Sequence, residues 1–151
     1  SDGDVLIHSI IDSILVVDIP GELSLKDYGI TNPKINTISL ISPTTTDNRV
    51  ELIAKNSTGF IYYVNLRGVT GSSNLNLDEI KNNIQKIKQY SDLPTLAGFG
   101  IKSANDAKML AECSDGVIIG SSIVEMINES SNSKEFARIG EYLKEIKQAI
   151  S

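Results

Sequence analysis

The chain contains no tryptophan, one cysteine, one histidine, three phenylalanines and five tyrosines among 151 residues. Each shortage removes a class of function. A lone cysteine, Cys113, cannot close an intramolecular disulfide, and it suits the reducing environment of the cytoplasm. Neither Cys113 nor the single histidine, His8, has partners at metal-ligand spacing, and no nucleophile triad is visible. So few aromatic residues argue against a base-stacking surface. Cationic charge is short as well: 14 lysines and arginines face 19 aspartates and glutamates, a formal charge of −5. That balance disfavours nucleic acid or an anionic membrane as the main partner. No apolar run approaches the ~20 residues of a membrane span, and no signal peptide is evident.

What the chain does have is alternation. Ile14, Leu15, Val16 and Val17 form a continuous apolar run, ended by Asp18, Ile19 and Pro20; such runs suit parallel strands covered on both faces. Further strands are expected at 36–41, 60–64, 94–97 and 116–119. Between them, helical turns are expected within 22–28, and helices from 46 or 47 to 55, 77–90, 103–112, 122–128 and 134–149. Val50, Ile53 and Ala54 mark one apolar helix face. Leu77, Ile80, Ile84 and Ile87 mark a second, and Ala107, Leu110 and Ala111 a third. Strand and helix alternating five times predict an α/β fold with a parallel sheet and helices outside it. The whole of 1–151 reads as one domain, although a complete eight-fold β/α barrel typically needs ~250 residues.

Two consecutive strand ends carry glycine: Leu96-Ala97-Gly98-Phe99-Gly100-Ile101, and Gly116-Val117-Ile118-Ile119-Gly120-Ser121. Glycine lets the backbone approach an anion, and a helix opening at Ser121 directs free N–H groups and its positive dipole end toward it. Phosphate sites in parallel barrels commonly lie after the last two strands. Gly100, Gly120 and Ser121 are therefore expected to bind a phosphate, with Gly71 joining through its N–H and Gly98 giving backbone clearance. In so acidic a chain, the attraction has to come from local amides rather than from a basic surface.

The loop Arg67-Gly68-Val69-Thr70-Gly71 follows a strand bearing Tyr62. Together with Gly98-Phe99-Gly100-Ile101 and Gly120-Ser121, it resembles the tryptophan synthase alpha subunit family. Val16-Val17-Asp18-Ile19-Pro20 and Ser42-Pro43-Thr44-Thr45 match strand ends of that family too, so the likeness runs from Asp12 to Ile150. The resemblance implies a TIM-barrel fold, with roughly strands 4 to 8 present here. It implies retro-aldol cleavage of indole-3-glycerol phosphate to indole and glyceraldehyde 3-phosphate. Indole then passes to a beta subunit, in a heterotetramer. Pyridoxal phosphate is expected only in that partner, and no cofactor or metal in this subunit. By the same resemblance Asp2 and Tyr62 are catalytic candidates, and Thr70 belongs to a mobile lid. Leu15, Leu40, Phe99 and Ile118 are walls of an indole slot, and Asp18 communicates with the beta subunit.

The start of the chain departs from the family pattern. Asp2-Gly3, followed by Val5 and Ile7, matches the loop bearing the family's aspartate, but the strand with the family's glutamate is not found before it. Nor does the stretch from Ile7 to Ile14 leave room for the helix, strand and helix of the family. The chain is therefore expected to represent part of an alpha subunit, inactive or nearly so alone. Two alternatives stay open: another phosphate-binding barrel enzyme of amino-acid biosynthesis, and a non-catalytic phosphate-binding partial barrel.

Overall fold

The computed structural model describes residues 13–15, 23, 25–29, 35–64, 76–129 and 133–151. Five parallel strands follow one another in chain order: β1 (Ser13–Leu15), β2 (Asn36–Ile41), β3 (Ile61–Val64), β4 (Thr95–Gly98) and β5 (Gly116–Val117). A 3-10 turn, Leu25–Tyr28, lies between β1 and β2. Helices α1 (Asp47–Asn56), α2 (Leu77–Lys88) and α3 (Ala104–Ala111) connect the next strands. After β5 come α4 (Ser121–Glu129) and α5 (Ser133–Ala149). Sequential parallel order, with a helix joining β2 to β3, β3 to β4 and β4 to β5 and another following β5, is the arrangement that the alternation predicted.

The ladder register sorts the side chains. Ile41 stands beside Tyr63, which stands beside Ala97, while Ser39, Ile61 and Thr95 form the next row on the same face. Alternate residues point to opposite faces of a sheet, so these rows face one way together. Against them close Val50, Ile53 and Ala54 of α1, Ile80, Ile84 and Ile87 of α2, and Ala107 and Leu110 of α3. Helix α5 packs on α3 and adds Ile146 to the same core. The apolar positions expected of α1 and α2 are those that pack here, Leu77 at its edge. Ala111 departs from expectation: it is only half-buried, because the helix ends there and its last residue lies beyond the sheet.

Polar contacts fix the ends of these elements. Asn76 caps α2 by accepting the Glu79 N–H at 3.1 Å, satisfying one of the amides a helix start leaves free. Ser103 and Asp106 form a reciprocal capping box on α3. Thr46 is the N-cap of α1, but its side chain makes no capping bond. At the opposite edge of the sheet, the Asp115 carboxylate meets Lys88 Nζ at 2.6 Å and accepts the Thr95 N–H at 2.8 Å. It thereby joins the end of α2 to the starts of β4 and β5. Burial alone pushes the Asp115 carboxyl upward, but Lys88 and the Thr95 amide outweigh it and hold the group below its ordinary value of 3.8.

Because that carboxyl is depressed in the folded state, its contribution to stability is complete above the unfolded value and is lost as pH falls through and below about 3.8. Asp115→Asn is therefore expected to flatten the acid limb of a urea-midpoint against pH curve, leaving the Lys86→Gln control steep. Leu110→Ala, at a fully buried site, is expected to cost about 2–5 kcal/mol in chemical denaturation.

Candidate functional site

Parallel strands bring their C-terminal ends to one edge, and the glycine-bearing segments meet there. Gly100 has φ +49°, a left-handed conformation that glycine adopts without strain. It turns the chain away from β4 so that Ile101 can bury, 3 % exposed. The Ile101 carbonyl then accepts a hydrogen bond from Ser122 Oγ at 2.5 Å. Ser122 lies in the first turn of α4, so this bond ties the loop after β4 to the helix after β5. A second tie runs from the Ile118 N–H to the Ala97 carbonyl at 2.8 Å, extending the pairing of β4 and β5 toward the same edge.

Gly120 opens α4: its carbonyl accepts the N–H groups of Ile123 and Val124, at 3.0 and 3.1 Å. The N–H groups of the first helical turn have no intrahelical acceptor, and the positive end of the dipole lies with them. Gly120 and Ser121 are exposed. A methyl group added at Gly120 meets nothing within 4 Å, so this corner is open. At α3, in contrast, Asp106 already accepts the Lys102 and Ser103 N–H groups, at 3.1 and 2.9 Å. Of the two helices that follow β4 and β5, α4 has no acidic residue in its first turn to occupy its amides.

Tyr62 lies on the sheet face away from the helices. Its row runs Leu40, Tyr62, Leu96 and Gly116. Leu15, paired with Ile38, belongs to that face, and so does Ile118, two residues beyond Gly116. Tyr62 leans over Gly98: a Cβ there would sit 2.7 Å from its hydroxyl oxygen and 2.8 Å from Cε2. Gly98 thus gives clearance to a ring rather than to a ligand. Burial pushes the Tyr62 hydroxyl above its ordinary value of 10.0, so at neutral pH it keeps its proton and can donate it in a hydrogen bond.

Of the expected slot residues, Leu15, Leu40 and Ile118 share the Tyr62 face. Phe99 does not. It continues the parity of Thr95 and Ala97, is 8 % exposed, and packs edge-on against Tyr63 with ring centroids 5.8 Å apart. The Tyr63 hydroxyl in turn accepts a hydrogen bond from Asn83 Nδ2 at 2.9 Å. Asp2, Asp18, Thr70 and Gly71 lie outside the described residues. Sequence reasoning missed Ser122, the residue that joins the two loops. Its signal was a second hydroxyl in the first turn of a helix facing a neighbouring strand end. Among the described residues no cluster of three or more His, Cys, Asp or Glu could hold a metal. No helix among them is long and apolar enough to cross a membrane.

Parallel strands in sequential order, with helices between them and their ends gathered at one edge, define the β/α-barrel class. The family described as "Tryptophan synthase alpha chain" matches residues 6–151, and the chain belongs to that family. It is 41% identical over 146 residues to the tryptophan synthase alpha chain of Neisseria meningitidis serogroup B, covering 93% of this chain and 54% of that one. The alpha chain of Paraburkholderia phymatum is 40% identical, with 93% and 52% covered. Among solved structures, tryptophan synthase subunit alpha from Legionella pneumophila superposes with a TM-score of 0.75 at 33% identity, over 92% of this chain and 52% of that one. The tryptophan synthase α2β2 complex of Pyrococcus furiosus gives 0.75 at 28% identity, over 91% and 56%. The chain thus spans about half the length of the curated relatives it matches.

The closeness of Gly98 and Tyr62 generates a mutational test. Gly98→Ala is expected to cost about 1–3 kcal/mol, as overpacking does, by pushing the Tyr62 ring aside. In a double-mutant cycle with Tyr62→Ala, much of that cost should disappear. Purely additive losses would mean that the ring is not what opposes the added methyl.

Proposed function

We propose that this chain supplies the substrate-phosphate half of a tryptophan synthase alpha subunit, which cleaves indole-3-glycerol phosphate into indole and glyceraldehyde 3-phosphate. The observation that carries the reading is the Ser122–Ile101 bond, which sets Gly100 beside Gly120 and Ser121 at the open start of α4. In this reading Gly71, Gly100, Gly120 and Ser121 hold the phosphate, and Thr70 closes over it as part of a lid. Leu15, Leu40 and Ile118 line the apolar slot for the indole ring, with Phe99 supporting the strand end from the core side.

The cleavage breaks the bond between an indole ring carbon and the glycerol chain. A proton is delivered to that ring carbon, and the neighbouring glycerol hydroxyl loses its proton as its carbon becomes the aldehyde. Asp2 is the carboxylate assigned to proton handling. Tyr62, protonated at neutral pH, serves as a hydrogen-bond donor to the substrate. Asp18 transmits occupancy to a beta subunit, which receives the indole and carries pyridoxal phosphate. The work takes place in the cytoplasm, in keeping with the single cysteine.

Ser121→Asp separates this role from a merely structural one. A carboxylate in the first turn of a helix favours the helix dipole, so the fold should hold or gain slightly in thermal denaturation. The same charge repels a phosphate. In the full chain with its beta partner, KM for indole-3-glycerol phosphate is expected to rise by about tenfold or more, the scale of 1.4 kcal/mol, with kcat changed far less. An unchanged KM would remove the α4 start from the site. Phosphate binding without any indole release would favour a non-catalytic phosphate-binding module instead.

A further inference from the structure

The phosphate site described above is built from backbone amides, yet the loop that carries Gly100 also carries a cation. Segments 96–103 and 116–124 contain one basic residue between them, Lys102. Its backbone is fixed on both sides. Ile101 before it is buried and bonded through its carbonyl to Ser122 at 2.5 Å. Lys102's own N–H and that of Ser103 both bond Asp106 Oδ2, at 3.1 and 2.9 Å. The side chain between these anchors is exposed, two residues beyond the left-handed turn at Gly100.

We propose that Lys102 supplies the side-chain cation of this site, its ammonium reaching back over Gly100 to the phosphate of a phosphomonoester held at the start of α4. The inference rests on the phosphate-site reading and extends it to a residue outside the glycine turns. Three features support it. The stem has four carbons and a compact, mobile charge, which suits a loop whose backbone is held by hydrogen bonds on both sides. The chain as a whole is acidic, −5, so a dianion entering this corner gains from one local cation. Without ligand, the Lys102 charge acts on the Asp106 carboxylate. Burial raises that carboxyl, and hydrogen bonds from Ser103 and the loop amides outweigh it, helped by the Lys102 charge. Asp106 remains satisfied by those amides when Lys102 turns to a phosphate, so the movement leaves no carboxylate unpartnered. Lysine commonly serves phosphate in this way, as a point charge rather than a fork.

The test is calorimetric titration of inorganic phosphate into the full chain, alongside Lys102→Met, Lys102→Arg and Lys108→Met. Lys108, exposed on α3, controls for the loss of one positive charge anywhere nearby. Lys102→Met is expected to weaken binding about two- to fivefold at low salt, the scale of one exposed charge pair. The difference should fade by about 0.5 M salt through screening. Arginine at 102 should restore most of the affinity, and Lys108→Met should bind as the parent does. If the parent itself does not bind phosphate, the site reading fails and this inference with it. Phosphate binding that is equal in the parent and Lys102→Met, or equally weakened in both methionine variants, overturns the role of Lys102 alone.

Discussion

The parallel ladder of β2, β3 and β4 is the constraint on which everything else depends. Its register places Ile41, Tyr63 and Ala97 in one row under three helices, and Leu40, Tyr62 and Leu96 in a row on the other face. A shift of one residue would exchange the two sets. The core would then receive the Tyr62 row, and the open face would receive Ile61 and Tyr63, which are fully buried in the observed register. Burial of those side chains, each worth on the order of 1.5–3 kcal/mol, is what selects the register. The same selection brings Tyr62 over Gly98 and keeps the strand ends level. The site is thus positioned by a core to which it contributes almost nothing.

Above that core, two kinds of glycine do different work. Gly98 is excluded from carrying a side chain by a neighbour, the Tyr62 ring. Gly100 is excluded by its own backbone, at φ +49°. Gly120 meets neither restriction, since nothing stands within 4 Å of its missing Cβ. In the proposed site its reason would be access, since a bare helix start can bring its amides to an anion. Ser122 completes the arrangement by spending a hydroxyl on the Ile101 carbonyl, making one corner of two loops.

Much of this was legible in the residues. The positions at three- and four-residue spacing in α2 and the continuous apolar strands follow from burial alone, and burial is what built the core. The ends of elements were less exact. Gln89 and Tyr90 leave α2 because its last carbonyls bond back over a tighter turn, the Gln89 N–H to Lys86 at 3.1 Å and that of Tyr90 to Ile87 at 3.0 Å. The ladder of β5 stops at Val117, although Ile118 still donates to Ala97. Phe99 shows where local reading falls short. Its strand-end position and the family resemblance suggest a slot wall, but strand parity, visible only with the register fixed, turns it to Tyr63. The Ser122 bond could not be read locally either, for it joins residues 21 apart.

The electrostatics of the two sheet edges bear on how an acidic chain could present the proposed anion site. At the edge where strands begin, carboxylate charge is neutralised by salt bridge and amide, as Asp115 is by Lys88 and Thr95. Where strands end, Asp106 is absorbed in the same way by the α3 capping box. Each arrangement places negative charge where donors already surround it. The start of α4 has a different composition: no acidic residue occurs in its first turn. Long-range repulsion from the net charge is weak beyond about 8–10 Å at physiological ionic strength. At the proposed site, an incoming phosphate would respond to its immediate neighbours, and these are amides, hydroxyls and one lysine. Net charge disfavours a nucleic-acid surface here without disfavouring a phosphate pocket, because the two depend on fields of different range.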